Sequence, residues 1–247
     1  MSVTTSDLVV YTASKMPEDN TSLTGGAINS GIRASFDDPS SDTKIVVYSS
    51  QAADTTQILS LTGRNPAGLV ITESLLLSGT SHISSVYTYD RVLKTYLDTA
   101  AVGNVSVSGS GVNKIATIPV GESGFRRPFY DATALAATAK TYYEKVFVQN
   151  RNSSSALNNA KVLEVNDGLY TKIAFALEDT KKADQTISNR EAVPTGITGG
   201  FGAGPSGIVD NKLTTGDYQG VWLKLSMDAG EAATNSFFEV QISGTTV

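Results

Sequence analysis

The sequence predicts an all-β, mainly antiparallel protein built from two β-sandwich or barrel-like domains, with a short helix and long loops. Charged residues make up only 17% of the 247 residues, below the roughly 25% that is usual for soluble domains. Ser, Thr, Asn and Gly take their place, and sheets can show Ser and Thr to water where helices usually carry Glu, Lys and Arg. Turn signals also recur about every 8–12 residues, which is typical of a sandwich or small barrel.

Residues 1–40 are predicted to be an N-terminal arm with one lead-in strand. Residues 7–12 form a short apolar run that is a strand candidate. A polar stretch and the pair Gly25-Gly26 follow it, and this composition favours loops. We therefore expect an arm that becomes ordered when it contacts a neighbouring subunit.

The first β domain is predicted over residues 41–121. The β-branched run KIVVYSS and the run TTQILSLTG both indicate strands. A Gly- and Pro-containing turn at residues 63–68 separates the second run from LVITESLLLSG, so a hairpin is the simplest interpretation. HISSVYTYDRVLKTYL predicts another strand, with helix ambiguity near residues 90–97. Val105 and Val107 then alternate with polar residues, as in a half-buried strand.

The second β domain is predicted over residues 122–247, after a boundary segment at residues 119–128 that contains Gly and Pro. The Ala-rich stretch DATALAATAK, residues 131–140, predicts one short packed helix or an inter-domain loop, because Ala has the best helix propensity but short helices are marginal. YTKIAFALED, GVWLKLSMDAG and FFEVQISG predict strands. The polar segment 179–217 is rich in Gly and Pro, and a loop of this length usually contacts another molecule.

No catalytic or cofactor-binding constellation is recognisable, so we expect neither enzyme activity nor a cofactor. The chain has no cysteine, and His82 is its sole histidine, which leaves little from which to build a metal site or a nucleophilic triad. The acidic pairs at residues 37–38 and 178–179 lie beside turn signals. We expect them to be solvated loop ends and not an acid and base that share a reaction.

Phosphate and metal sites are also not predicted. The Gly-rich segment 196–207 could present backbone N–H groups to an anion, but it lacks the Lys-Ser/Thr ending of a Walker A loop. The Asp and Asn residues at 179, 184, 210 and 211 could offer oxygen ligands to calcium, but their spacing does not match a calcium-binding loop. The scattered aromatic residues could form a sugar-binding platform, and we expect most of them in the core instead.

The charge and the start of the chain indicate which partners to expect. A formal net charge of −5 and an isoelectric point near 4.9 provide no electrostatic reason to bind nucleic acid. The start MSVTTSDLVV lacks the basic and apolar regions of a signal peptide, and no run approaches ~18 uninterrupted apolar residues. We expect no nucleic acid partner, no membrane and synthesis in the cytoplasm.

Residues 63–107 resemble a segment of structural proteins of tailed bacteriophages. The shared pattern is a Gly-x-Asn-x-x-Gly turn, ITESLLLSGT, a Val/Tyr strand, YDRVLKTYL and the Gly-bounded strand GNVSVSG. A second portion, from YYEKVFVQN to GVWLKLSMDAG, is similar to the companion β domain of such virion proteins. The matching residues of the first segment are Gly63, Asn65, Gly68, Thr72, Glu73, Leu75, Leu77, Gly79, Thr80, Val86, Tyr89, Arg91 and Gly103.

The resemblance implies a structural component of the virion, in the first place a capsid decoration or cement protein that stabilises the assembled shell. Its partners would be the major capsid protein or other virion proteins. The protein itself would be a homo-oligomer, with a trimer among the candidates. Synthesis would then take place in the host cytoplasm. The alternatives are a tail or head-fibre adhesin that binds a host receptor or glycan, and an enzyme or unrelated binding module.

Three residues are the predicted partner contacts. Arg126 and Arg127 lie in the inter-domain segment, where paired guanidinium groups suit the carboxylates of a partner. Phe201 lies in the Gly-rich segment, and a large apolar side chain in a flexible loop is often buried only in the assembly. The alternative for Phe201 is that it packs onto its own domain.

Overall fold

The chain is all-β and mainly antiparallel, as predicted. The computed structural model describes residues 2–17, 22–34, 36–39, 41–110, 114–132, 135–166, 172–231 and 239–246. Helical structure in these residues is limited to two 3-10 turns, at Thr5–Asp7 and Val209–Asn211. The strands are β1 (Leu8–Lys15), β2 (Thr24–Arg33), β3 (Thr43–Ser49), β4 (Ile58–Arg64), β5 (Val70–Leu76), β6 (Ile83–Tyr89), β7 (Arg91–Leu97), β8 (Val105–Gly109), β9 (Lys114–Ile118), β10 (Gly124–Arg126), β11 (Lys140–Asn150), β12 (Leu157–Asn166), β13 (Ile173–Glu178), β14 (Thr186–Ile187), β15 (Ile197–Gly202), β16 (Ser206–Gly207), β17 (Lys212–Leu213), β18 (Tyr218–Met227) and β19 (Glu239–Thr245).

The chain divides into two compact units that differ from the predicted division into 1–40, 41–121 and 122–247. Unit 1 consists of Met1–Asn29 and Phe129–Val247, and unit 2 is Ser30–Pro128. The N-terminal segment is not a free arm, because β1 pairs antiparallel with β11 through five residues, from Leu8 opposite Asn150 onwards. The first strand of the chain is therefore part of the second half's sheet, a long-range pairing that no local pattern indicates.

Unit 1 is organised around the long strands β11 and β18. Its main sheet has the order β15-β13-β18-β11-β1-β2, and β14 adds to β2. A second sheet is built on β12, which pairs with β16, β17 and β19. The aromatic residues of KTYYEKVFVQN and GVWLKLSM suit strands, and Phe147 and Trp222 are fully buried. β11 is buried on both faces over most of its length, which is the pattern of a central strand.

Unit 2 contains strands of two sheets that share one hydrophobic core. In the first, β10 pairs parallel with the end of β2 and antiparallel with β7, followed by β4 and β5. The second has the order β6-β3-β8-β9. The core cluster takes residues from both, including Ile45, Leu61, Val92, Val107 and Phe125. The sandwich or barrel form of the domains stays a prediction.

The short helix predicted at residues 131–140 is wrong for the residues that the structure describes there. These residues form a turn, a bend and an irregular lead-in to β11, and residues 133–134 lie outside the described part. Asp131 makes an ion pair with Arg190, with 2.7 Å between Oδ1 and Nη1. The helix propensity of a few alanines is worth only tenths of a kcal/mol each, roughly, and tertiary contacts override it.

The predicted long loop, residues 179–217, contains four short strands. β14 pairs with β2, β15 with β13, and both β16 and β17 with β12. Its two ends are also joined, because Lys182 Nζ lies 2.7 Å from Asp217 Oδ1. Backbone pairing and an ion pair thus hold this segment on its own unit.

We predict that Asp217 stabilises unit 1 at neutral pH and loses this role in acid. Burial alone would raise the pKa of Asp217, but Lys182, Thr214 and Lys181 outweigh it and lower the pKa from 3.8 to about 2. A depressed carboxyl pKa stabilises the fold above the unfolded value, and this contribution is lost as the pH falls from about 4 to about 2. With solvent screening of Lys182, which is half exposed, we expect about 1–2 kcal/mol.

Unfolding free energies of Asp217→Asn and wild type, measured across this pH range, test the prediction. The variant should be less stable at neutral pH, and the difference should disappear near pH 2. Asp210→Asn is the matched control, because Asp210 lies near Lys181 but is mostly exposed. A difference that stays constant with pH would contradict the assignment.

Candidate functional site

Unit 2 exposes five large apolar side chains on and beside two neighbouring strands. Each is between 51% and 73% exposed, in contrast to the fully buried core residues behind them. We call this surface the β5–β6 edge. It consists of Leu69, Val70, Leu76, Val86 and Tyr87.

β5 alternates as a strand should, but its outward face is apolar at both ends. Successive side chains of a strand point to opposite faces, and Leu75 is buried while Val70 and Leu76 are 55% and 56% exposed. The exposed positions between them are Thr72 and Ser74. A face that met only water would normally be polar along its whole length, and the two apolar ends of β5 depart from that pattern.

A β-bulge explains why two consecutive residues of β6 are exposed. Regular alternation would turn either Val86 or Tyr87 inward. The register of β3 against β6 shifts between Lys44 and Val46, and the Ile45 N–H of β3 donates to the side-chain hydroxyl of Ser85 in β6, at 2.9 Å. Bulges re-aim side chains at sheet edges, and this one turns both Val86 and Tyr87 outward.

Glu73 joins β5 to β6 from the inner side of the edge. Its Oε1 accepts the Val86 N–H at 2.6 Å, and its Oε2 accepts the Tyr89 hydroxyl at 3.4 Å. Burial raises the pKa of Tyr89, and the nearby Glu73 carboxylate raises it further. Tyr89 therefore remains a neutral donor, and Glu73 holds the bulged residues in position.

The turn before β5 holds Leu69 in place at the surface. Asn65 Oδ1 accepts the N–H groups of Ala67 and Leu69 at 3.1 and 2.9 Å, the pattern of an Asn side chain that closes a turn. Gly68 has a φ of +77°, which glycine adopts without strain. Leu69 is thus 64% exposed on a hydrogen-bonded turn.

Both strands of this surface are the last of their sheets among the described residues. β5 pairs with β4, β6 pairs with β3, and each has no second strand partner in that part of the chain. Sheet edges offer unpaired N–H and C=O groups to another chain, and proteins usually protect them with Lys, Pro or inward charges. β5 carries no Lys, Arg or Pro, but Glu73 places a charge on its inner side, and the Glu73 carboxylate accepts the Val86 N–H of β6.

Arg126 and Arg127, two of the predicted contacts, are engaged within unit 2. Arg126 ends β10 and is only 4% exposed, which leaves little of its side chain for a partner. Arg127 makes an ion pair with Asp38 and stacks over the Phe36 ring at 4.6 Å. Burial lowers the pKa of Arg127 to about 10.

Phe201, the third predicted contact, packs on its own unit. It lies in β15, and its ring centroid is 5.3 Å from that of Tyr143, beside a cluster that includes Ile187 and Trp222. This position corresponds to the alternative in which Phe201 packs onto its own domain. Phe201 belongs to unit 1 and the two arginines to unit 2.

Sequence reasoning missed the β5–β6 edge although all of it lies within residues 63–107. The pattern of β5 was visible, but which face meets the core depends on β4 and β7. The bulge in β6 has no local signal either, because it arises from the pairing of Ser85 with β3. High β propensity with almost no charge in LVITESLLL was the one signal that pointed to an adhesive edge.

The residues considered for chemistry lie apart from one another. The His82 ring stacks on Tyr48 at 4.3 Å. No group of three or more His, Asp or Glu side chains in the described ranges is placed to hold a metal ion. Within those same ranges, no helix has the length and apolar character needed to cross a membrane.

Comparisons of the chain with protein-family models, with curated proteins and with solved structures find no match.

Proposed function

We propose that the chain is a structural component of a bacteriophage particle, a capsid decoration or cement protein that binds the assembled shell through the β5–β6 edge. The observation that carries the proposal is this exposed apolar edge. Large exposed apolar surface marks protein interaction sites, and aliphatic and Tyr side chains such as Leu76 and Tyr87 contribute strongly when an interface excludes water.

The residues that resemble phage virion proteins lie in unit 2, which also carries the β5–β6 edge. Gly63, Asn65, Gly68 and Glu73 build the turn and the bridge that present Leu69, Val86 and Tyr87. A protein repeated many times on a symmetric shell can act through a modest surface on each copy. The exposed surface of this unit therefore supports a binding role.

A binding experiment with charged substitutions tests the proposal. The capsids come from the phage that encodes the chain and are first stripped of this protein. We expect the double variant Leu76→Lys/Val86→Lys to lose its binding to them. Burying each side chain is worth roughly 1.5–3 kcal/mol, so the dissociation constant should rise by more than about 100-fold. The measurement is co-sedimentation with the capsids, followed by their resistance to heat.

Val193→Lys is the matched control, because Val193 is 64% exposed but lies in unit 1. It should bind as wild type does and restore the heat resistance of stripped capsids. Circular dichroism should show the same β content in both variants, since the substituted side chains are exposed. Undiminished binding of the double variant, or stripped capsids as robust as decorated ones, would contradict the proposal.

The adhesin alternative rests on two tyrosines of unit 2. Tyr87 and Tyr96 are 51% and 49% exposed, and exposed aromatic rings can stack on sugars. Retention of wild-type protein on a glycan array, lost in Tyr87→Ala with Tyr96→Ala, would favour the adhesin. If wild-type protein binds the capsids but no glycan on the array, the decoration protein is favoured.

A further inference from the structure

Unit 1 contains an ion pair that is completely withdrawn from water. Lys145 Nζ lies 2.6 Å from Glu178 Oε1, and both side chains are 0% exposed. Lys145 projects from β11 and Glu178 ends β13, on either side of the central strand β18. The pair therefore connects two strands that are not hydrogen-bonded to each other.

Aromatic side chains and a glycine surround the two groups. Trp222 lies opposite Lys145 in the β11–β18 register, and the ammonium group is 4.6 Å from the Phe147 ring centroid. Gly220 makes room for the acid, because a Cβ at this position would lie 2.0 Å from Glu178 Oε2. Any other residue there would displace the carboxylate.

Three backbone carbonyls fix the position of the Lys145 nitrogen. Nζ donates to the oxygens of Gly26, Ala183 and Gln185 at 3.2, 3.1 and 3.4 Å. These acceptors hold the nitrogen beside Glu178 and would still accept an N–H from it if the nitrogen were acylated.

The site disfavours both charges. Burial lowers the pKa of Lys145, although Glu178 acts in the opposite direction. Burial likewise raises the pKa of Glu178, against the lowering effects of Lys145 and Trp222. Transfer of one proton across the 2.6 Å contact gives a neutral amine beside a neutral carboxylic acid. A buried ion pair loses the hydration of both ions, a cost that the neutral pair avoids.

We propose that Lys145 and Glu178 condense to form an intramolecular amide that links β11 covalently to β13. The neutral Nζ attacks Glu178 Cδ, a C–N bond forms, and a C–O bond of the carboxylic acid breaks. The hydroxyl group leaves with a proton from the nitrogen as one molecule of water. No oxidant, reductant or cofactor takes part. The product is a secondary amide whose N–H donates to one of the three carbonyls.

The intact mass of the denatured protein and its tryptic map test the proposal. After prolonged incubation at neutral pH, we expect the mass of wild type to be lower than the sequence mass by one water molecule. Trypsin should then fail to cleave after Lys145 and release residues 141–151 joined to residues 173–181. The Lys145→Arg variant keeps a cation but cannot form this amide, so its mass should equal the sequence mass.

The wild-type map decides the matter even if Lys145→Arg does not fold. Full sequence mass together with cleavage after Lys145 would overturn the proposal, and the pair would then be a permanent ion pair. A loss of water without the joined peptide would also overturn it, because the bond would lie elsewhere. Neither result depends on capsid binding, so this test is independent of the proposed function.

Discussion

Replacing Lys145 by methionine should lower the free energy of unfolding of the protein by about 3–5 kcal/mol, because it leaves the Glu178 carboxylate buried without a counter-ion. Methionine retains most of the volume of the lysine stem, so the loss reports on charge and not on a cavity. If the amide forms in wild type, the variant also lacks that cross-link, and the direction is the same. Denaturant unfolding followed by Trp222 fluorescence measures the change.

The pH dependence of this variant has a definite sign. Without Lys145, burial is the dominant influence on Glu178 and raises its folded-state pKa above the unfolded value. A raised carboxyl pKa favours the folded state at low pH, and this contribution is lost as the pH rises through the folded pKa. The penalty of Lys145→Met should therefore be largest at neutral pH and decrease towards pH 4.

A double variant is the matched control for charge. Lys145→Met with Glu178→Leu removes both ions and fills their space with apolar atoms, and such exchanges are often neutral or stabilising. We expect it to recover most of the stability lost in the single variant. A double variant as unstable as Lys145→Met alone would show that the lysine stabilises the fold through its contacts with Gly26, Ala183 and Gln185.

Truncating Trp222 to alanine should cost about 3–5 kcal/mol, the range for large buried aromatic side chains. Trp222 is 0% exposed in β18, opposite Lys145 on one side and Ala176 on the other. Its loss leaves a cavity between the strands that the glycine backbone at Gly25, which contacts the ring, cannot fill. Thermal unfolding followed by far-ultraviolet circular dichroism measures the effect.

Two further variants serve as comparisons for the stability loss of Trp222→Ala. Trp222→Phe keeps an aromatic ring and should cost less than half as much. Tyr96→Ala removes a half-exposed ring from β7 and should change the free energy by no more than about 0.5 kcal/mol. Equal losses for Trp222→Ala and Tyr96→Ala would contradict the central position of Trp222 in the core of unit 1.

Strand content was predictable because it depends on short-range patterns. The strand predicted from YTKIAFALED is β13, and the Gly63–Gly68 turn does join β4 to β5 in a hairpin. Of the two alternatives for segment 131–140, the helix was wrong because alanine propensity is weak beside tertiary contacts. The segment 179–217 looked like a loop because strands of two residues, such as β14, have no period to detect.

The candidate sites were mostly beyond sequence reasoning. Glu178 was expected at a solvated loop end, yet its side chain and that of its partner Lys145 are both fully buried. Their partners come from strands far along the chain, and no pattern near either residue reports this. Arg126 was expected at an interface for its charge, and its burial follows from β10 lying between β2 and β7.

By itself the sequence determined that the chain is all-β, where most strands run and where the sharp turns fall. These properties follow from side-chain alternation and from Gly and Pro chemistry, which act over a few residues. Only the tertiary structure decided that β1 joins β11, that Val86 and Tyr87 both face outward, and that Lys145 meets Glu178 away from water. Each of these depends on which distant strands pair and in what register, because burial is a property of neighbours in space and not of neighbours in the chain.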